Sequence, residues 1–454
     1  MDNNLYTKHQ KIYPREVHGL FAFWRTVGVF VLLGLYYLLP WITWEGRQAV
    51  LFDLPDRKFY IFDITFWPQD FFFLAVLLIA AALTLFFFTA LAGRLWCGYA
   101  CPQTVWTEMF LWMERKIEGD RPKQIKLDQM PWSLRKLTIK TTKHTVWILF
   151  SLYTGFSFIG YFTPIRELTG ELINFNLGPW ESFWIFFYSL ATYGNAGWLR
   201  EQVCIYMCPY ARFQSAMFDR DTLIISYDPE RGDPKGSRKR GVEPSSLGLG
   251  DCIDCTLCVQ VCPTGIDIRH GLQYQCIGCA ACIDVCDQVM DQMGYEKGLV
   301  RYTTENAMIG KPAKVLRPRT IVYATLLSAL FIALIYAMIQ RSPLGLDVIR
   351  DRNTLYRSTD EGQIENVYTL KIINMDTQKH SFRLQASGID SLQLVTDKEV
   401  IEVDGNAVYS LVVRLRADPD KLSTRSSGVK FTVQSTDTTS LSVTEDARFL
   451  GPQL

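Results

Sequence analysis

The 454 residues carry 47 Lys and Arg against 46 Asp and Glu, a net charge of +1. No basic excess marks a nucleic-acid partner, and the length suits two or three domains. The apolar residues come in blocks, and the cysteines are spaced as metal ligands and stop at Cys286, which argues against a secreted disulfide scaffold.

Residues 1–19 are polar, and the apolar block after them lacks a small-residue cleavage site, so it reads as an anchor rather than a removed signal peptide. Crossing a hydrocarbon layer ~30 Å thick takes roughly 20 apolar residues. Residues 20–41, 71–92, 145–162, 180–199 and 321–339 meet that requirement, the fourth interrupted by Asn195 and glycines. Lys and Arg number ten between the second and third spans and fifteen in 200–319, but three between the first and second and one, Arg166, between the third and fourth. The positive-inside rule then places the N-terminus and all cysteines in the cytoplasm and 341–454 in the periplasm of a bacterial inner membrane.

Two spans end in the same motif. Cys97 and Cys101 follow the second, Cys204 and Cys208 the fourth, each pair reading C-x3-C-P. An i, i+4 spacing puts both thiols on one face of a helix, and Pro102 and Pro209 favour an extended residue or a helix end just before them. Two such helix ends could gather four thiolates at the membrane surface. Gly98, Tyr99, Ile205 and Tyr206 suggest close packing with an aromatic lid. Three chemistries fit four thiols: a soft-metal site for copper, a further iron–sulfur or zinc centre, or a dithiol relay. Met207, Met109 and Met113 lie nearby, where thioether sulfur would suit Cu(I) but membrane-surface packing is the better explanation.

A linker rich in Gly, Pro and Ser (228–250) carries Lys235, Arg238, Lys239 and Arg240, a charge run suited to anionic headgroups. Beyond it, Cys252, Cys255, Cys258 and Cys262 form C-x2-C-x2-C-x3-C-P, and Cys276, Cys279, Cys282 and Cys286 repeat the spacing. This is the pattern of a ferredoxin with two [4Fe–4S] clusters, in which the fourth cysteine of each run serves the other cluster. One cluster is assigned Cys252, Cys255, Cys258 and Cys286, the other Cys262, Cys276, Cys279 and Cys282. Asp287 stands where the usual proline would follow, and adds negative charge beside one cluster. Zinc knuckles prefer paired C-x2-C to a doubled run of four.

After Pro343 short alternating runs appear at 367–373, 382–386, 392–395, 409–415 and 429–433, separated by turn residues. Period-two alternation at this spacing predicts an all-β immunoglobulin-like sandwich. The domains are then a membrane domain with four spans (1–227), a basic linker (228–250), a ferredoxin domain (251–300), a second linker (301–320), a fifth transmembrane helix (321–340) and an outer β domain (341–454). The five histidines, His9, His18, His144, His270 and His380, offer no facing pair for a transmembrane haem, and no dinucleotide or Walker A motif occurs.

The motifs WCGYACP (96–102) and CIYMCP (204–209), the doubled ferredoxin run and the terminal β domain together resemble the FixG/RdxA/CcoG family, over nearly the whole chain. The resemblance implies an accessory protein for assembly of a cbb-type haem–copper cytochrome c oxidase. It further implies reduction of Cu(II) to Cu(I) at Cys97, Cys101, Cys204 and Cys208, with assembly factors or a copper chaperone as partners beside an unnamed electron donor. NapH-like and NosR-like membrane ferredoxins share the C-x3-C-P pairs, so a quinol-to-protein relay and a non-enzymatic assembly scaffold remain alternative expectations.

Overall fold

The computed structural model describes residues 11–422, 424–437 and 441–452, so His9 and the rest of 1–10 lie outside the described residues. Helix α1 (Leu20–Leu38) opens the membrane part. A three-stranded meander follows, β1 (Val50–Asp53), β2 (Lys58–Ile61) and β3 (Ile64–Phe66), with β2 in the middle. Next come α2 (Phe71–Ala92), α3 (Leu95–Tyr99), α4 (Pro102–Glu118), α5 (Arg121–Gln129), α6 (Leu134–Ile159), α7 (Ile165–Ile173) and α8 (Pro179–Thr192). Two π-helical turns, Tyr193–Leu199 and Val203–Met207, lead into α9 (Pro209–Met217).

Among the described residues three helical segments are long and apolar enough to cross a membrane: Leu20–Trp41, Pro68–Ala92 and Pro318–Ile339. The third and fourth expected spans fall on less uniform elements. Residues 145–162 are the C-terminal part of α6 and the turn after it, and the first turns of α6 carry Arg135, Lys136, Lys140 and Lys143. In the fourth, α8 is regular for only 14 residues before the backbone widens into a π turn at Tyr193. Asn195 and two glycines lie in that turn, as a wide turn at a functional position often shows.

The cysteine-rich module is bracketed by a two-stranded antiparallel sheet: β4 (Ile224–Tyr227) pairs with β5 (Val300–Thr303). Between them lies α10 (Ala281–Met293), and after them the long α11 (Pro318–Ile339). The buried core of the module includes Ile225, Tyr227, Ile268, Ile283, Met290, Leu299 and Val300.

Compact packing divides the chain into two units, Met1–Ile332 and Ala333–Leu454. The second is a pair of antiparallel sheets. Its strands are β6 (Leu344–Arg350), β7 (Arg357–Ser358), β8 (Ile364–Asn374), β9 (His380–Ser387), β10 (Gln393–Val395), β11 (Val400–Val403), β12 (Ala407–Ala417), β13 (Ser426–Ser435) and β14 (Ser442–Leu450). One sheet runs β10-β12-β8-β6 with β7 beside β8, the other β11-β9-β13-β14. Alternate residues turn inward, so Tyr368, Leu370 and Ile372 of β8 meet Phe382, Phe431 and Phe449 in a shared core. Tyr368 donates across it to the Arg448 carbonyl at 2.9 Å.

Candidate functional site

Both cysteine runs of the ferredoxin module adopt the same backbone. Asp254 and Thr256 flank Cys255 with φ of 53° each, and Gly278 and Ala280 flank Cys279 with φ of 68° and 59°. Two left-handed residues around the middle cysteine curl each loop tightly, at a cost of roughly 1–2 kcal/mol for each non-glycine residue. The third cysteine of each run then enters a helix, Cys258 in Leu257–Gln260 and Cys282 in α10.

The fourth cysteine crosses over. Cys286 lies one turn beyond Cys282 on α10, yet it shares a small cavity with Cys252, Cys255 and Cys258, walled by Val289, Met290 and Leu299. Burial pushes the Cys286 thiol up to about 12, and Cys258, Cys252, Asp287 and Cys255 push the same way. Cys276 is likewise raised to about 12 by burial, with Cys279 and Cys262 adding to the effect. Four thiolates in one apolar hollow repel each other unless a polyvalent centre neutralises them. That donor set fits a [4Fe–4S] cluster in each half.

The second-half loop sits on the first C-x3-C-P motif. A Cβ at Gly98 would stand 2.7 Å from the Gly278 carbonyl oxygen and 3.0 Å from Cys279 Cα, so only hydrogen allows this approach. Cys97 packs against the buried cluster of Val261, Ile277, Cys279, Ala281 and Val285. Arg25 of α1 donates to the Cys279 carbonyl at 3.2 Å, and Tyr302 donates to the Gly278 carbonyl at 2.7 Å. Asp284 of α10 caps α1, accepting from the Phe21 and Ala22 amides at 3.2 and 2.7 Å, a carboxylate at the positive end of a helix.

Cys97, Cys101, Cys204 and Cys208 lie near enough to influence one another's charge. Burial pushes Cys97 up to about 12, with Cys101, Cys204 and Cys208 adding to it and Arg94 opposing. Cys204 is raised to about 12 in the same way, by burial first and then by Cys101 and Cys208. The two thiols of each pair do not share one helix face, whereas the extended residue expected before each proline is present. Cys101 and Cys208 are extended N-caps of α4 and α9, not helical, because each precedes a proline. Cys97 lies in α3 and Cys204 in a π turn. The expected aromatic lid does not form over the thiols: Tyr206 is 69% exposed, and Tyr99 faces Tyr302 across 3.5 Å. Met113 is buried and Met109 partly buried in the α4–α6 core, and Met207 is exposed.

Sequence reasoning missed Arg94. Its guanidinium is buried, donates to the Ala211 carbonyl at 2.6 Å, and lowers Cys97, Cys204 and Cys276 against the effect of burial, so one cation serves both thiol sets. It also missed the cavity walled by Cys204 on one side and Cys279 on the other, with Arg25, Gln103 and Glu108 between them. Burial would raise Glu108, but Arg25 and Arg115 outweigh it and hold the carboxyl low. Among the described residues no three His, Cys, Asp or Glu side chains converge as closely as a single ion needs. A tetrahedral thiolate site with bonds of ~2.3 Å holds its sulfurs nearly in contact, whereas a cubane with an iron behind each thiolate takes a wider set.

Residues 199–305 match the family described as 4Fe-4S dicluster domain, 74–119 a 4Fe-4S binding domain, and 334–452 the IG-like fold at the C-terminus of FixG. The chain is 42% identical over 408 residues to protein RdxB of Cereibacter sphaeroides, covering 86% of this chain and 85% of that protein. It is 39% identical over 422 residues to nitrogen fixation protein FixG of Rhizobium meliloti, covering 85% and 80%. A crystal structure of a FixG-related protein from Vibrio parahaemolyticus aligns with 24% of this chain and 97% of its own at 33% identity, with a TM-score of 0.22.

Proposed function

The chain belongs to the FixG/RdxA family of iron–sulfur electron-transfer proteins, and from that premise we propose that it reduces Cu(II) to Cu(I) at Cys97, Cys101, Cys204 and Cys208. The product would supply assembly of a cbb-type cytochrome c oxidase. When bound, two [4Fe–4S] clusters supply one-electron storage. Cys252, Cys255, Cys258 and Cys286 would hold one, and Cys262, Cys276, Cys279 and Cys282 the other.

The observation that carries this reading is the seat of Gly98 on Gly278 and Cys279, which sets Cys97 beside the second ligand set. One electron per copper matches a one-electron carrier, and soft thiolates favour Cu(I) over Cu(II). A passing ion needs fewer ligands than a resident one, so a loosely gathered set suits a substrate. A cavity lined by both Cys204 and Cys279 lies at one of these thiols and at the second ligand set. In the membrane arrangement we favour, five helices cross a bacterial inner membrane, with the thiols on the cytoplasmic side and 341–454 in the periplasm.

The test is anaerobic. Cu(II) added to dithionite-reduced protein reoxidises it in the wild type and fails to do so in C97S/C101S. Cluster spectra that stay reduced in wild-type protein sink the copper reading. A second reading is favoured by the match of 74–119 to a 4Fe-4S binding domain and by the spread of the thiols: the same four cysteines hold a further cluster. Iron analysis separates the two. About eight irons in both the wild type and the variant with all four cysteines replaced by serine supports copper, and about twelve in the wild type falling to about eight in the variant supports a third cluster.

A further inference from the structure

The two halves of the ferredoxin module share one backbone, but their surroundings differ. Cys279 is buried under Arg25, Gly98 and Tyr302, while its counterpart Cys255 is exposed. The segment beside Cys255's run is the basic linker. Gly236 donates its amide to the Cys252 carbonyl at 3.1 Å, and Gly250 donates to the Pro234 carbonyl at 2.9 Å, which pins residues 234–250 to this half. Arg238 donates to the Tyr295 hydroxyl at 2.8 Å, and Lys235 lies over the Tyr227 ring at 5.4 Å. Lys239 and Arg240 are exposed, and among the described residues neither has an ion-pair partner. The nearby carboxylates are largely spent: Asp254 and Asp267 are both bound by Arg269, Asp251 by Arg231, and Asp233 by Lys235 at 3.6 Å. Glu230, Asp233 and Glu243 stand exposed in the linker, and the cations Lys239 and Arg240 stand exposed beside them.

We propose that the exposed Cys255 loop and the basic strip 235–240 form the docking face for a soluble one-electron carrier protein with an acidic surface. The proposal rests on the electron-transfer reading of the module but not on copper. Complementary charge steers such encounters and raises association rates. In the step itself one electron leaves the carrier's reduced centre and is taken up at the Cys252, Cys255, Cys258 and Cys286 set. The carrier is oxidised by one equivalent, the module is reduced by one, and no bond forms or breaks. The module then has a direction, in through the open half and out through the half that Gly98 covers.

The probe is an acidic flavodoxin, photoreduced to its hydroquinone and mixed with full-length oxidised protein in detergent. K235E/K239E/R240E should lower the second-order rate of visible bleaching by roughly tenfold or more, and salt should slow the wild type only. Bleaching by dithionite should stay unchanged in the variant, which shows that its iron sites are intact. Without any redox step, carbodiimide should link oxidised flavodoxin to Lys235 or Lys239. The milder K239Q/R240Q should fall between wild type and triple variant. An unchanged flavodoxin rate, or crosslinks confined to other lysines, overturns the proposal. So does protection of Lys239 from trypsin only in phosphatidylglycerol nanodiscs, which would assign the strip to headgroups. Reoxidation of dithionite-reduced protein by Cu(II) is a separate readout, so loss of the copper reading leaves this one standing.

Discussion

At Gly98 the chain leaves no room for a side chain, and the atoms it would strike are backbone: Gly278 O at 2.7 Å, Gly278 C at 2.9 Å and Cys279 Cα at 3.0 Å. Backbone cannot swing aside as the end of a lysine can. Gly98→Val should therefore open the seam between α3 and the second cysteine loop, at an overpacking cost of about 1–3 kcal/mol. Iron content should hold, because none of the eight ferredoxin cysteines is replaced. Reoxidation of the reduced protein by Cu(II) should slow by roughly tenfold or more, the order of loss that an ångström of misplacement brings. Stopped-flow bleaching recovery with parallel iron analysis checks this, and full-speed recovery in Gly98→Val would break the link between the two thiol sets. The cysteines themselves were legible because ligand spacing is a local property. Gly98 was legible only as a hint of close packing. Its partner Gly278 and the shared cation Arg94 were not, since nothing in a linear motif says which loop 180 residues away will lie against it.

The element that ties the membrane helices together is α4, whose buried carboxylates face cations from three directions. Glu114 is fully buried and meets Arg200 at 2.7 Å, Lys143 of α6 at 3.3 Å and Lys11 at 3.5 Å. Glu118 meets Lys143 at 2.9 Å and Lys140 at 2.8 Å, and Asp128 of α5 meets Lys140 at 2.5 Å. Burial would raise Glu114, but Arg200, Lys11 and Lys143 overcome it and hold it low. Burial would likewise raise Asp128, and hydrogen bonds from Lys140, Tyr13 and Lys11 reverse that too. A carboxylate lowered by folding stabilises the fold fully above its unfolded pKa, ~4, and loses that contribution as pH falls through its folded value. The melting temperature, followed by tryptophan fluorescence, should thus hold near neutral pH and drop below about pH 4. Glu114→Ala should cost about 3–5 kcal/mol at neutral pH, because Arg200 remains buried without its counter-ion and Lys143 keeps only Glu118. A melt unchanged by Glu114→Ala would show that water reaches this network. The charges of α4 and the start of α6 read from the sequence only as a cytoplasmic loop. Hydropathy averages over a window and cannot tell a solvated lysine from one turned toward a buried carboxylate.

At the scale of the whole chain, the two units have cores of different origin. The first combines several small apolar clusters with buried ion pairs and close backbone contacts, and the second has one continuous aliphatic and aromatic core. Five strands of the second were visible as alternating runs. Strands β6, β7, β11 and β14 were not, because β6 has a glycine at its second position, β7 is two residues long and β11 four, and β14 reads as S-V-T-E-D-A-R-F-L, with one fully buried anchor, Phe449. Once paired, they complete both sheets: Asn366 of β8 exchanges hydrogen bonds with Leu450 of β14, at 2.7 and 3.0 Å. Tyr368, Phe382, Phe431 and Phe449 are entirely enclosed within this unit. A core that closes on itself predicts a fragment that folds by itself. Residues 341–454, produced alone, should be soluble and melt in one cooperative transition, with a stability in the ~5–15 kcal/mol range of ordinary domains. The chain ending at residue 340 should keep its iron and its reoxidation by Cu(II), since no cysteine lies beyond Cys286. In cells the same truncation should lower cbb-type oxidase maturation if the β unit docks a partner outside. Retained iron with lost maturation assigns the unit to recognition. Lost iron would mean instead that the thiol sites depend on a domain that carries no ligand for them.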